Sequence, residues 1–391
     1  MAGRTVIYLD NAATSWPKPD CVPEAMLRYL RDVGASPGRS GHRLALAAER
    51  IRLDARLALA ELFGVSDPLR IVFMHNATTA LNVVLHGLLP PGSHVITTGM
   101  EHNAVMRPLQ ALAQRGVTVT VVACHADGTL APTVLDACIQ PATRLIVATH
   151  ASNVCGTVLP IREMSAIAKQ RGIPLLVDAA QTAGGWPIDL RRDGIDLLAF
   201  SGHKGLLGPS GTGGLAINDA FDVKCLPPLL QGGTGSRSEH EEHPADLPDR
   251  YEPGTPNMPG IAGLAAAARY VLETGVARIR THERMLTQRL IDGLRGIVGV
   301  RVHGTQDAGQ QTAVVAFTLV GQSVSDVAQA LDERFGVLCR PGLHCAPRAH
   351  RTLGTFPHGT LRFAPGLFTT LQEADTALAA VAELAETTSR G

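Results

Sequence analysis

The segment "RPGLHCAP" (340–347) sets Cys345 beside His344 between two prolines, with Arg340 five residues upstream. A thiol so placed can fill space, bind a metal or attack a substrate. Attack requires the thiolate, so neighbours such as His344 bear on it. A second segment, "FSGHKGLLGPSGTGG" (200–214), puts Lys204 just after Ser201 and His203, at the end of an apolar run and before a glycine-rich turn. Glycines let backbone approach an anion, and Ser201 and His203 add donors. Taken alone, the segment reads more readily as a surface lysine in a loop. A nucleotide phosphate loop is excluded, because the Gly-x4-Gly-Lys-Ser/Thr pattern is absent. "LLVDAAQT" (175–182) ends a buried run in Asp178, with Gln181 three residues on; an acid there can also simply cap the next helix. "HNATTALN" (75–82) opens a helix with Thr78 and Thr79, and helix N-termini bind phosphate. "EHNA" (101–104) and "HASNVCG" (150–156) bring His102 and Asn153 to the ends of two further strands. A core histidine and a turn asparagine are the plainer readings of those two.

Together the five polar clusters fall at strand C-terminal ends, which is where open α/β sheets bind ligands. One cofactor needs a lysine to meet its aldehyde, an acid for its pyridine nitrogen and an anion site for its phosphate. That cofactor is pyridoxal phosphate.

The elements that must position these residues are legible as apolar runs. Residues 69–74, 93–98, 117–124, 143–150, 173–180, 195–201 and 213–218 read as strands, most of them continuously apolar as expected when helices cover both faces. Helical patterns at 77–89, 103–115 and 161–172 lie between them, so the first two thirds form an α/β domain with a mostly parallel seven-stranded sheet. The Gly-, Pro- and charge-rich stretch 231–260 reads as a long functional loop. A helical stretch runs from about 261 to 294, and residues 313–386 read as a smaller α+β unit. The expected division is a large domain over 16–262 and a small C-terminal domain over 263–391, completed by residues 1–15.

Composition bounds the function. Lys+Arg and Asp+Glu both number 35, so nucleic acid and acidic membranes find no electrostatic footprint. Neither a membrane-spanning apolar run nor a secretory leader pattern is present, and the expected location is the cytoplasm. Seven cysteines (21, 124, 138, 155, 225, 339 and 345) without a Cys-x-x-Cys pair argue against a disulfide framework and a structural zinc site.

The motifs "IYLDNAATSWPKP" (7–19), "GRSGHRLAL" (38–46), "EHNA", "VDAAQT", "SGHKG", "GTPNMPG" (254–260) and "RPGLHCAP" make the chain resemble the class V aminotransferase family of pyridoxal-phosphate enzymes. Within that family it is similar to the cysteine desulfurase and selenocysteine lyase group. The resemblance implies the dimeric fold type I architecture. It implies Lys204 as the lysine that meets the cofactor aldehyde, Asp178 at the pyridine nitrogen, Gln181 at the ring hydroxyl and His102 stacked on the ring. Thr78, Thr79, Ser201 and His203 would hold phosphate, joined by Thr255 from the second subunit. Asn153, Arg340 and Arg362 fall where the substrate is held, and Cys345 where sulfur is taken from L-cysteine as a persulfide, leaving alanine. Pro341 and Leu343 stand where better-known members of the group carry Thr and His. L-Selenocysteine as substrate, or another carbon–sulfur or amino-group reaction, is the alternative, and a sulfur-acceptor protein is an implied partner.

Overall fold

A computed structural model describes residues 6–38, 41–237 and 239–388. Residues 1–5 of the expected N-terminal segment, and Arg39 and Ser40 of "GRSGHRLAL", lie outside the described residues. The chain begins with a short strand, β1 (Ile7–Tyr8), and then builds a large sheet from β2 (Ile71–Met74), β3 (His94–Thr98), β4 (Thr118–Val122), β5 (Thr143–Thr149), β6 (Leu175–Asp178), β7 (Leu197–Ser201) and β8 (Gly213–Ile217). Their order is β2-β8-β7-β6-β5-β3-β4. β8 is antiparallel to both its neighbours and the other pairs are parallel, so all strands but β8 end at one edge of the sheet. The seven expected strands are these seven.

The continuous apolar runs follow from burial on both faces. In β5, Ile146 and Ala148 enter one core while Leu145 and Val147 enter another. In β7, Leu198 and Phe200 alternate in the same way with Leu197 and Ala199. Glycine is required at Gly214 in β8, where a Cβ would stand 2.1 Å from the Val72 carbonyl oxygen. At the sheet edge, the buried Arg56 pairs with Glu252 (Nη2–Oε2 2.6 Å) and donates through Nη1 to the Ile71 carbonyl. Glu252 Oε1 accepts from the Phe73 amide at 2.7 Å, and the Arg56 guanidinium lies 4.6 Å from the Phe73 ring centroid.

A second sheet has the order β12-β13-β10-β9, formed by β9 (Val300–His303), β10 (Val315–Leu319), β12 (Arg340–Gly342) and β13 (Thr360–Phe363). β11 (Val337–Leu338) pairs instead with β1, in parallel. Leu9 packs in the hydrophobic core beside this second sheet, and the Asn11 amide donates to the Ala364 carbonyl at 3.1 Å. The long helical stretch is two helices, Met258–Thr274 and Val276–Arg295, broken at Gly275 with φ 85°. Position 262 falls inside the first of them. Ile261, Leu264 and Ala268 of that helix pack in the large unit's core, whereas Leu286, Leu290 and Leu294 of the next belong to the small unit's. Among the described residues, no helix is long and apolar enough to cross a membrane.

Candidate active site

Because six strands end at one edge, their following turns converge. Asp178 is the last residue of β6 and Ser201 the last of β7, with His203 and Lys204 in the turn beyond it. His102 caps the helix Asn103–Ala113, its Nδ1 accepting from the Ala104 amide at 3.0 Å. Thr78 lies in the first turn of the helix Ala77–Leu88, which Asn76 caps by accepting from the Thr79 amide at 2.9 Å. Thr78, His102, Asn153, Asp178, Gln181, Ser201, His203 and Lys204 all line one cavity of about 310 Å³. Eight of the candidates named from the sequence thus line a single cavity.

Burial sets the charge states there. It lowers Lys204 to about 8; the Asp178 carboxylate opposes this, and the charges of Arg362 and Arg340 add to it. Burial raises Asp178 against the Ala180 amide, which donates to Oδ1 at 3.0 Å, and against the charge of Lys204. His102 and His203 are both lowered to about 4, chiefly by burial and then by nearby cations. Both rings are therefore neutral at ordinary pH. A neutral His102 offers a flat face for stacking, and a neutral His203 still donates one hydrogen bond. His203 Nδ1 and Asn153 Oδ1 are buried with no protein partner. This lining fits pyridoxal phosphate: an amine, a buried acid, unpaired polar atoms and a capped helix N-terminus share one cavity of small-ligand size.

The N-terminal segment supplies contacts that sequence reasoning did not assign. Gln181 Nε2 donates to the Ala12 carbonyl at 3.1 Å. Lys18 Nζ donates to the His203 carbonyl at 2.9 Å, and burial lowers its pKa to about 8. Asp10 Oδ1 accepts from Arg362 Nη2 at 2.5 Å. The motif "IYLDNAATSWPKP" (7–19) was the available signal. Arg362 also donates through Nη1 to the Asn153 carbonyl at 2.9 Å, and its Nε is buried without a partner. Arg340 lies directly across the ladder from Arg362.

Cys345 is exposed on the loop between β12 and the helix Pro347–Thr352. Its carbonyl accepts from the Asn103 amide at 2.8 Å, next to His102, and Asn153 Nδ2 donates to the His344 carbonyl at 2.6 Å. The loop is thus fixed to residues that flank or line the cavity. His344 itself is buried and lowered to about 3, by burial first and then by the charge of Arg362. It carries no positive charge with which to stabilise a thiolate. Two expected cofactor contacts stand apart. Thr79 donates its hydroxyl to Asn76 at 3.2 Å and, with Thr255, lines a neighbouring pocket rather than the cavity of Lys204.

A profile of the family Aminotransferase class-V matches residues 7–376. The chain is 35% identical over 373 residues to the probable cysteine desulfurase of Methanothermobacter thermautotrophicus, covering 95% of this chain and 92% of that protein. It is 38% identical over 354 residues to the cysteine desulfurase of Yersinia pestis, covering 88% and 85% of the two. The apo structure of cysteine desulfurase from Thermococcus onnurineus matches with a TM-score of 0.90 and 34% identity, over 98% of this chain and 95% of that one. These likenesses bear out the fold type I architecture expected from the motifs. With the match running from the first strand into the last helix, the chain belongs to the class V aminotransferase family.

Proposed function

We infer that the protein is a cysteine desulfurase that holds pyridoxal phosphate on Lys204 and takes sulfur onto Cys345. The observation carrying this reading is an exposed thiol pinned by Asn103 and Asn153 to the cavity that Lys204 and Asp178 line. Asp178 would hold the pyridine nitrogen, Gln181 the ring hydroxyl and His102 the ring face. Thr78, Ser201 and His203 would hold phosphate, with Thr255 contributed by the second subunit of a homodimer. When bound, the cofactor supplies a sink for the electron pair left at the substrate Cα. Lys204, brought to about 8 by burial, is poised to take that Cα proton and return it near neutral pH. Arg362, with an unpaired buried Nε, is suited to a carboxylate, which a planar guanidinium binds bidentately. Cys345 Sγ then forms a bond to the substrate sulfur as the sulfur–Cβ bond breaks. A proton completes the carbon fragment as alanine, and the enzyme keeps a persulfide for a thiol acceptor. We place the boundary of the two units at Gly275, where the packing partner changes.

The test is Cys345→Ser, which keeps the side-chain size but removes the soft nucleophile. The variant should load cofactor and bind cysteine yet release almost no alanine, while wild-type protein gains one reductant-labile sulfur on the Cys345 peptide. Near wild-type alanine release by the variant would overturn the reading. Pyruvate as product would indicate β-elimination, and activity confined to L-selenocysteine would indicate the lyase.

A further inference from the structure

Cys345 and His344 occupy adjacent positions with opposite surroundings. Both have left-handed backbone, φ 57° and 49°, and neither is glycine. Such conformations are strained for a residue with a Cβ and persist only where the surroundings over-determine them. Here the surroundings are specific. The His344 ring is buried, 3% exposed, and its Nε2 lies 3.0 Å from the Arg340 carbonyl, which can only accept. Nε2 therefore carries the ring proton, and the ring spans the turn from its tip back to β12. The ring also stacks on His350, with centroids 5.6 Å apart. Beyond it, Asn153 and Asn103 hold the carbonyls of 344 and 345, and the Ala346 amide closes the turn on the Leu343 carbonyl at 2.9 Å. Besides the Cys345 thiol next in sequence, the groups whose charges act on the ring are Arg362, His350 and Arg340, none of them acidic.

We propose that His344 is a positioning residue: its ring anchors the turn to the Arg340 carbonyl so that Cys345 faces outward, and it takes no part in proton transfer at the thiol. The proposal rests on the reading of Cys345 as sulfur acceptor. The anchor leaves the thiol free of a histidine partner and makes its placement, rather than its activation, the task of the neighbouring residue.

Two variants separate reach from backbone preference. Asparagine tolerates left-handed backbone but is too short to reach Arg340, whereas glutamine puts an amide nitrogen about where Nε2 stands. With cofactor-loaded protein, His344→Asn should slow persulfide formation on Cys345 at least tenfold with the KM for cysteine within about twofold. His344→Gln should recover the rate to within about threefold of wild type. Amide hydrogen exchange over residues 343–347 should speed in the Asn variant and not in the Gln variant. The pH midpoint for alkylation of Cys345, read by peptide mass, should match wild type in both. An unchanged persulfide rate and exchange in His344→Asn would overturn the proposal, as would a shifted alkylation midpoint, which would make His344 a partner of the thiol. The exchange and alkylation measurements need no substrate, so they stand even if cysteine yields no alanine.

Discussion

At the scale of single residues, desolvation governs this site more than pairwise charge does. Asp178 is buried and Lys204 half-buried, and desolvation pushes each toward its neutral form, although each charge favours the other. Burial thus leaves the amine close to half-neutral near pH 8, where an exposed lysine would be almost wholly protonated. Arg362 shows the opposite arrangement, a buried cation kept in place by one acid, Asp10, and one carbonyl. Its unpaired Nε leads to an expected outcome. Arg362→Ala should raise the KM for cysteine at least about tenfold, the loss of a charge-assisted pair being worth about 1.5–3 kcal/mol. The cofactor absorbance should stay intact, and an unchanged KM would assign the carboxylate to Arg340 or Asn153. Asp10 was hidden from sequence reasoning because 352 residues separate it from its partner. The left-handed turn at Cys345 was hidden too, since neither position is glycine or asparagine and histidine's tolerance of that region is too weak a signal to mark a turn.

At the scale of elements, the large sheet was legible because burial on two faces leaves most of its strands few polar positions. The small unit was less so. β9 has four residues, only two of them well buried, and went unnoticed. Residues 337–342 are continuous in sequence, yet the chain divides them, giving β11 to the N-terminal segment and β12 to β13. Strands this short are defined by their partners, not by their own pattern. Between β3 and His102 sits another element-level device, Glu101. Its Oε1 accepts from Thr98 Oγ1 at 2.6 Å and from the Thr149 amide at 3.0 Å, tying the ends of β3 and β5. Burial raises its pKa from 4.5 to about 8, against those two hydrogen bonds. A raised folded pKa means the stability it contributes is complete below the unfolded value and is lost as pH rises toward 8. Glu101→Gln keeps both accepted hydrogen bonds and cannot ionise. Its melting temperature should therefore fall less than that of wild type between about pH 6 and about pH 9. Equal falls would show that this carboxyl does not titrate in that window.

At the scale of the whole molecule, the separation of Thr255 from the Lys204 cavity within one chain is what a site shared between two subunits requires. Co-expressed Lys204→Ala and Thr255→Ala chains should form hybrids with one doubly damaged site and one undamaged, restoring about a quarter of wild-type activity on random pairing. Activity no greater than the parents' would return Thr255 to a purely local role.

The bonds from Arg56 and Glu252 to the first strand of the large sheet have a consequence for solubility. β2 is an edge strand, and "IVFM" is apolar enough to recruit a stranger's strand. Its outward amide at Phe73 and carbonyl at Ile71 are the groups such a strand would seek, and an ion pair already occupies both. The same pair anchors the chain three residues before Thr255. Losing Glu252 would strand a buried guanidinium, at a cost of about 3–5 kcal/mol, and at the same stroke unseal the margin along which fibrils grow.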